Sequence, residues 1–184
     1  MNKFGATFML LFCVYTNLYG QKELKKDFDF DGITDTVYLD EEESKIVCLL
    51  STKNFTKEES KFIDMLNEYS SIKDAKDGFY FNNDWMRSGY SNQFRYDKNQ
   101  KKMQLIGMSR YDFGNWQHDG NGESSVNLLT DDYIGNWSYY DNIKDTLIKI
   151  PTIRTKMHFD KIYLENFDDE IYFSFGTKCS APFD

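Results

Sequence analysis

Residues 93–111 read Gln-Phe-Arg-Tyr-Asp-Lys-Asn-Gln-Lys-Lys-Met-Gln-Leu-Ile-Gly-Met-Ser-Arg-Tyr. Gln93 to Tyr96 alternates polar and aromatic side chains, Asp97 to Lys101 is a polar turn, and Met103 to Tyr111 is a second apolar-rich run. Two such runs around a short polar break predict a β-hairpin. The same grammar extends in both directions. Downstream, Ser125–Thr130 and Tyr133–Tyr140 predict a second hairpin around Asp131-Asp132, and Asp119-Gly120-Asn121-Gly122 is a strong turn. Thr146–Ile150, Lys161–Leu164 and Ile171–Phe175 complete the downstream strands. Upstream, Val37–Leu39, Lys45–Thr52 and Phe79–Phe81 are strands. One segment differs. Thr56 and Glu59 form a capping box, and Phe62, Ile63, Leu66 and Tyr69 recur at helical spacing, which predicts a helix within 54–70. The expected fold is mainly β with one helix (α+β): an antiparallel sheet, curled or in two layers.

Composition agrees. The chain has 184 residues, enough for one domain, and 17% of them are aromatic, with 16 Phe, 13 Tyr and 3 Trp. Aromatic side chains suit half-buried pleated surfaces. A formal charge of -8 argues against a nucleic-acid partner, because phosphate binding needs a positive surface.

Residues 1–20 are expected to be a signal peptide. Lys3 is the one charge, Phe8–Tyr15 is an apolar run too short to span a bilayer, and Gly20 offers a small residue at the cut. A single domain, 21–184, would then be exported to the periplasm or beyond, with lipoprotein processing at Cys13 as a lesser route. Cys48 and Cys179 remain. An oxidising compartment allows a disulfide between them, which would stabilise by roughly 4–5 kcal/mol on the chain-entropy view. Two buried free thiols are the equal alternative.

Chemistry is concentrated in residues 27–35, Asp-Phe-Asp-Phe-Asp-Gly-Ile-Thr-Asp. Carboxylates at loop positions 1, 3, 5 and 9, with Gly at 6, are what a hard cation requires: several oxygens converging through a tight bend. Asp27, Asp29, Asp31 and Asp35 are the candidate ligands, joined by the backbone carbonyl of Ile33. Calcium is the expected ion, in a structural role. Position 12 is Tyr38, where an EF-hand needs Glu, and the following residues read as a strand. The loop instead resembles the Asp-x-Asp-x-Asp-Gly-x-x-Asp turns of FG-GAP and VCBS repeats, as in integrin β-propeller blades. That resemblance implies the same five ligands. It covers about a dozen residues, and since a propeller needs several copies, no propeller is implied. The layout of a leader, one such loop and a β-rich domain is similar to that of periplasmic proteins related to PliI-type lysozyme inhibitors. The Tyr-Ile-Gly-Asn-Trp stretch and the late aromatic strands resemble exported proteins of Bacteroidetes bacteria.

Other chemistry is thin. Asp131-Asp132 and Asp168-Asp169-Glu170 read as solvated turns. His118-Asp119 with Ser124-Ser125 lacks the surroundings of a nucleophile, Cys48 lies in an apolar strand, and His158 stands alone. Gly114-Asn115-Trp116 and Gly135-Asn136-Trp137 echo each other, either as two bulges before core tryptophans or as an aromatic platform for a sugar or peptide. The expectation is a non-enzymatic binding module for a protein or glycan of the envelope, in its sharpest form an inhibitor or immunity-type protein against a basic cell-wall hydrolase. A small secreted hydrolase and a structural surface protein are the alternatives.

Overall fold

The computed structural model describes residues 21–180, so the expected signal peptide, Cys13 included, lies outside the described residues. The described residues form two antiparallel sheets. The smaller contains β1 (Glu23–Lys26), β2 (Asp35–Asp40), β3 (Lys45–Leu49) and β4 (Lys57–Glu59), side by side in chain order. The larger runs from β5 (Ser71–Ala75) through β6 (Gly78–Asp84), β7 (Ser88–Asp97), β8 (Lys102–Asp112), β9 (Gly122–Asn127) and β10 (Asp132–Asp141) to β11 (Thr146–Lys149). β12 (Ile153–Lys156) shares β10 with β11. Neither sheet closes into a barrel.

The hairpin of residues 93–111 is the centre of the large sheet. Tyr96 faces Met103 and Phe94 faces Leu105, all four in the core. Between Gln93 and Phe94 the register shifts, leaving Ile106 as an extra residue on β8. A strict period of two would next bury Gly107. The bulge moves the frame by one and brings Met108 inward against Asn92.

β10 is bordered on its second edge by two short strands. β12 pairs with Asp132–Gly135 and β11 with Ser138–Asp141. Pro151, which has no N–H to give, sits at the changeover, and Ile150 donates to the Trp137 carbonyl just before it.

One apolar cluster joins both sheets. Phe79 stacks on Phe94 at 5.0 Å, Phe167 meets Phe94 edge-on at 5.2 Å, and Phe28 approaches Phe79 edge-on at 5.9 Å. Such pairs add about 0.5–1.5 kcal/mol each beyond burial. Phe28 belongs to the acidic loop, so packing ties that loop to the large sheet.

Several expectations are corrected. Residues 54–70 are not helical. A 3-10 turn at Ser51–Lys53 is followed by Asn54 and Phe55, both with positive φ, and then by β4 on the edge of β3. Glu59, the far end of the expected capping box, instead forms ion pairs with Lys45 and Lys57, and its neighbour Glu58 pairs with Lys53. Of the four residues at helical spacing Ile63 alone is fully buried, while Phe62 and Tyr69 are exposed. The helix, α1, spans Asp169–Ser180 where Ile171–Phe175 had suggested a strand. Asp169 and Glu170 in its first turn and Lys178 in its last match the helix dipole, and Tyr172, Phe175 and Cys179 share its inner face. Residues 161–164 make one bridge, Gln104 to Tyr163, before a 3-10 turn at Leu164–Asn166. β1, β4, β5 and β12, short and charged or polar, had no legible pattern. Cys48 and Cys179 are buried free thiols.

Candidate metal centre

β1 ends at Lys26 and β2 begins at Asp35, so the acidic stretch is the turn that joins two paired strands. Asp27 folds it. Its Oδ1 accepts from the amides of Phe30 at 2.7 Å and Asp31 at 3.2 Å, and its Oδ2 from Gly32 at 3.0 Å. The bend needs positive φ at Phe30 (66°) and at Gly32 (87°). Phe28 is buried and anchors the turn, whereas Phe30 is half exposed beneath the Lys98 ammonium.

The first strand residue, Asp35, is fully buried. Its Oδ2 accepts from Phe28 N at 2.7 Å and Asp29 N at 3.3 Å, and its Oδ1 from Ser51 N at 2.7 Å. Asp29 is only 6% exposed. Its Oδ2 accepts from the Thr52 hydroxyl at 2.6 Å and amide at 3.2 Å. Its Oδ1 is buried with no hydrogen-bond partner.

Asp27, Asp29 and Asp35 each place one carboxylate oxygen within 4.8 Å of the others. Oxygens around one calcium at about 2.3–2.6 Å lie at most about 5 Å apart, so the three fit one ion. Each carboxylate keeps one oxygen with a lone pair to spare: Asp27 Oδ2 and Asp35 Oδ1 each accept one hydrogen bond, and Asp29 Oδ1 accepts none. Asp31 stands one hydroxyl away: Ser51 Oγ is 2.7 Å from Asp31 Oδ2 and 3.4 Å from Asp29 Oδ2. Ile33 lies exposed at the tip, its amide donating to Asp31 Oδ1 at 2.8 Å.

Among the described residues, no Lys, Arg or His forms an ion pair with any of these four aspartates. Buried carboxylates without a counter-charge cost several kcal/mol, which backbone amides offset in part. The donors are all oxygens, as a hard cation prefers. Nearby Cys48 is kept protonated by burial first and then by the carboxylates of Glu58 and Asp35.

Ser51 and Thr52 were invisible to motif reasoning. They reach the loop because β2 and β3 pair Thr36 with Leu49, which carries the end of β3 back beside residues 33–35. A Ser-Thr pair after an apolar strand is too common to single out.

The remaining candidates separate. His118 Nδ1 faces the Phe113 carbonyl and Asp119 Oδ1 accepts from Tyr140 N, so neither addresses a serine. Ser124 is buried against Cys179 at 3.4 Å. His158 pairs with Asp131 at 3.0 Å and Asp132 with Lys156 at 2.7 Å, both on the surface. Asp168 pairs with Lys61, but Asp169 is buried in the core, contrary to a solvated turn. The two Gly-Asn-Trp copies diverge: Trp137 is buried and Trp116 is 82% exposed. No described helix is long and apolar enough to cross a membrane.

No protein-family model matches the chain, and no curated protein and no solved structure shows significant similarity to it.

Proposed function

We propose that this protein is an exported, non-enzymatic β-rich binding module whose N-terminal turn is completed by a calcium ion. The observation that carries the cation is Asp29: a buried carboxylate with one unpartnered oxygen, beside two further carboxylate oxygens and, among the described residues, in no ion pair with a basic side chain. A divalent ion supplies the missing charge and fastens the β1–β2 turn to the end of β3. The loop's resemblance to FG-GAP and VCBS turns supports the choice of calcium, and the leader-like residues 1–20 support export. The ion's role is structural, because the same carboxylates are committed to backbone amides. The ligand of the module is a protein or glycan of the envelope.

The test is thermal unfolding of chelated protein with calcium added back. Extracellular calcium modules have dissociation constants of about 10⁻⁴–10⁻³ M, so millimolar calcium should raise the melting temperature in a saturable way. An unchanged melting curve would refute the site.

A further inference from the structure

Away from the acidic turn, a cleft of about 610 Å³ opens where β8, β9, β10 and β11 meet. That is within the roughly 300–1,000 Å³ of ordinary small-ligand sites. Tyr111 and Phe113, whose rings lie 5.4 Å apart, form an aromatic wall. Glu123, Asn136, Lys149 and Thr152 supply the polar groups. Thr152 donates its hydroxyl to Asn136 Oδ1 at 2.8 Å, which fixes the amide and leaves its NH₂ to donate.

The rim is a held loop. Phe113 and Asn121 both line the cleft, and between them the chain makes a tight excursion that carries Trp116. The Arg87 guanidinium grips its base, donating to the carbonyls of Phe113 at 3.0 Å, Gly114 at 2.9 Å and Asn115 at 2.9 Å. Asn115 Oδ1 accepts from the amides of Gln117 at 2.8 Å and Asp119 at 3.1 Å. Gly120 N donates to Ser138 O, and Ser138 N to Asn121 O, which seals the loop to β10. The brace holds Phe113 and Asn121, the two ends of the loop, in place on the cleft wall, so little is left to order on binding.

We propose that this cleft binds an uncharged glycan chain, with Tyr111 and Phe113 taking the C–H faces of sugar rings and Asn136, Glu123 and Thr152 taking their hydroxyls. One acid and one base, Glu123 and Lys149, leave the lining neutral, which suits a neutral ligand over an ionic one. Glu123 is the one carboxylate among the cleft's described lining residues, whereas glycoside hydrolysis ordinarily uses two. This assignment rests on the binding-module reading and is independent of the calcium turn.

The experiment titrates the protein with chitohexaose and with cellohexaose, following tryptophan fluorescence and heat. Saturable binding of either is expected. Phe113→Ala and Asn136→Ala should each weaken it roughly 10- to 100-fold while folding and the calcium response persist. Failure of both saccharides to bind, or undiminished wild-type affinity in both variants, would overturn the glycan assignment, as would binding of a basic hydrolase at this face without any saccharide binding. Release of new reducing ends would overturn the non-enzymatic reading and leave the glycan site standing.

Discussion

The Tyr90 hydroxyl donates to Asp169 Oδ1 across 3.0 Å, and this buried bond ties the middle of the large sheet to the first turn of α1. Asp169 Oδ2 also accepts from Met65 N at 3.2 Å, and Asn83 Nδ2 reaches both the Met65 carbonyl and the Tyr90 oxygen. The Tyr172 ring stacks on Tyr90 at 4.3 Å above it. The polar seam therefore holds three things at once: β7, the helix and the irregular 61–70 segment. Tyr90→Phe keeps the ring and strands Asp169 Oδ1. A cost of about 1–3 kcal/mol is expected, equivalent to a fall of very roughly 2–12 °C in melting temperature at about 2–4 °C per kcal/mol. Thermal denaturation checks it.

Asp29→Asn should abolish the calcium-dependent gain, since it removes the charge that lacks a partner. At a hundredfold excess over the dissociation constant the wild-type gain is about 2.7 kcal/mol. Asp31→Asn should retain part of the gain, because Asp31 bonds to Ser51 outside the three-oxygen cluster. Calorimetric titration of both variants orders the contributions.

Gly32 and Gly114 both have positive φ, yet alanine should affect them unequally. At Gly32 (φ 87°) a Cβ meets nothing within 4 Å, so the cost is the backbone strain of about 1–2 kcal/mol. At Gly114 (φ 67°) the Cβ would lie 2.2 Å from the Asp119 carbonyl oxygen, a backbone atom that cannot move without opening the loop. Gly114→Ala should destabilise more and raise amide exchange across residues 113–121.

Stability should fall as pH rises above about 10, the ordinary tyrosine value. Tyr111 is pushed up to about 12 by burial and then by the Asp84 carboxylate, and burial followed by Asp169 pushes Tyr90 higher still. Between about pH 10 and 12 the unfolded chain loses these protons while the native protein keeps them, so unfolding is favoured. The contribution is intact below pH 10 and is lost as pH rises through 12. Urea midpoints at pH 9, 10 and 11 should decline, and less steeply in Tyr111→Phe.

Cys48 and Cys179 should resist a thiol reagent in the native protein and both react after unfolding, because each is buried and Cys48 is held protonated. Reducing agent should leave the melting temperature unchanged.

The sequence by itself determined the features that act over a few residues. Alternation and polar breaks announced the 93–111 and 125–140 hairpins, and the nine-residue acidic turn with Gly32 at its bend was readable outright, since turn chemistry is local. Everything that depended on a distant neighbour was decided by tertiary structure. The 56–69 pattern satisfies a helix on paper, but β3 had an open edge to fill and the chain took it. Residues 171–175, aromatic enough for a strand, coil into α1 because Tyr90 and Tyr133 on the large sheet offer that face its partners. Ser51 and Thr52 reach the aspartates only through the β2–β3 register. The two Gly-Asn-Trp copies share three letters and differ in fate because one lies within β10 and the other on a loop clamped by Arg87. Local sequence sets which conformations are cheap. The core and the unfilled strand edges choose among them, since burial and backbone pairing are properties of the assembled chain.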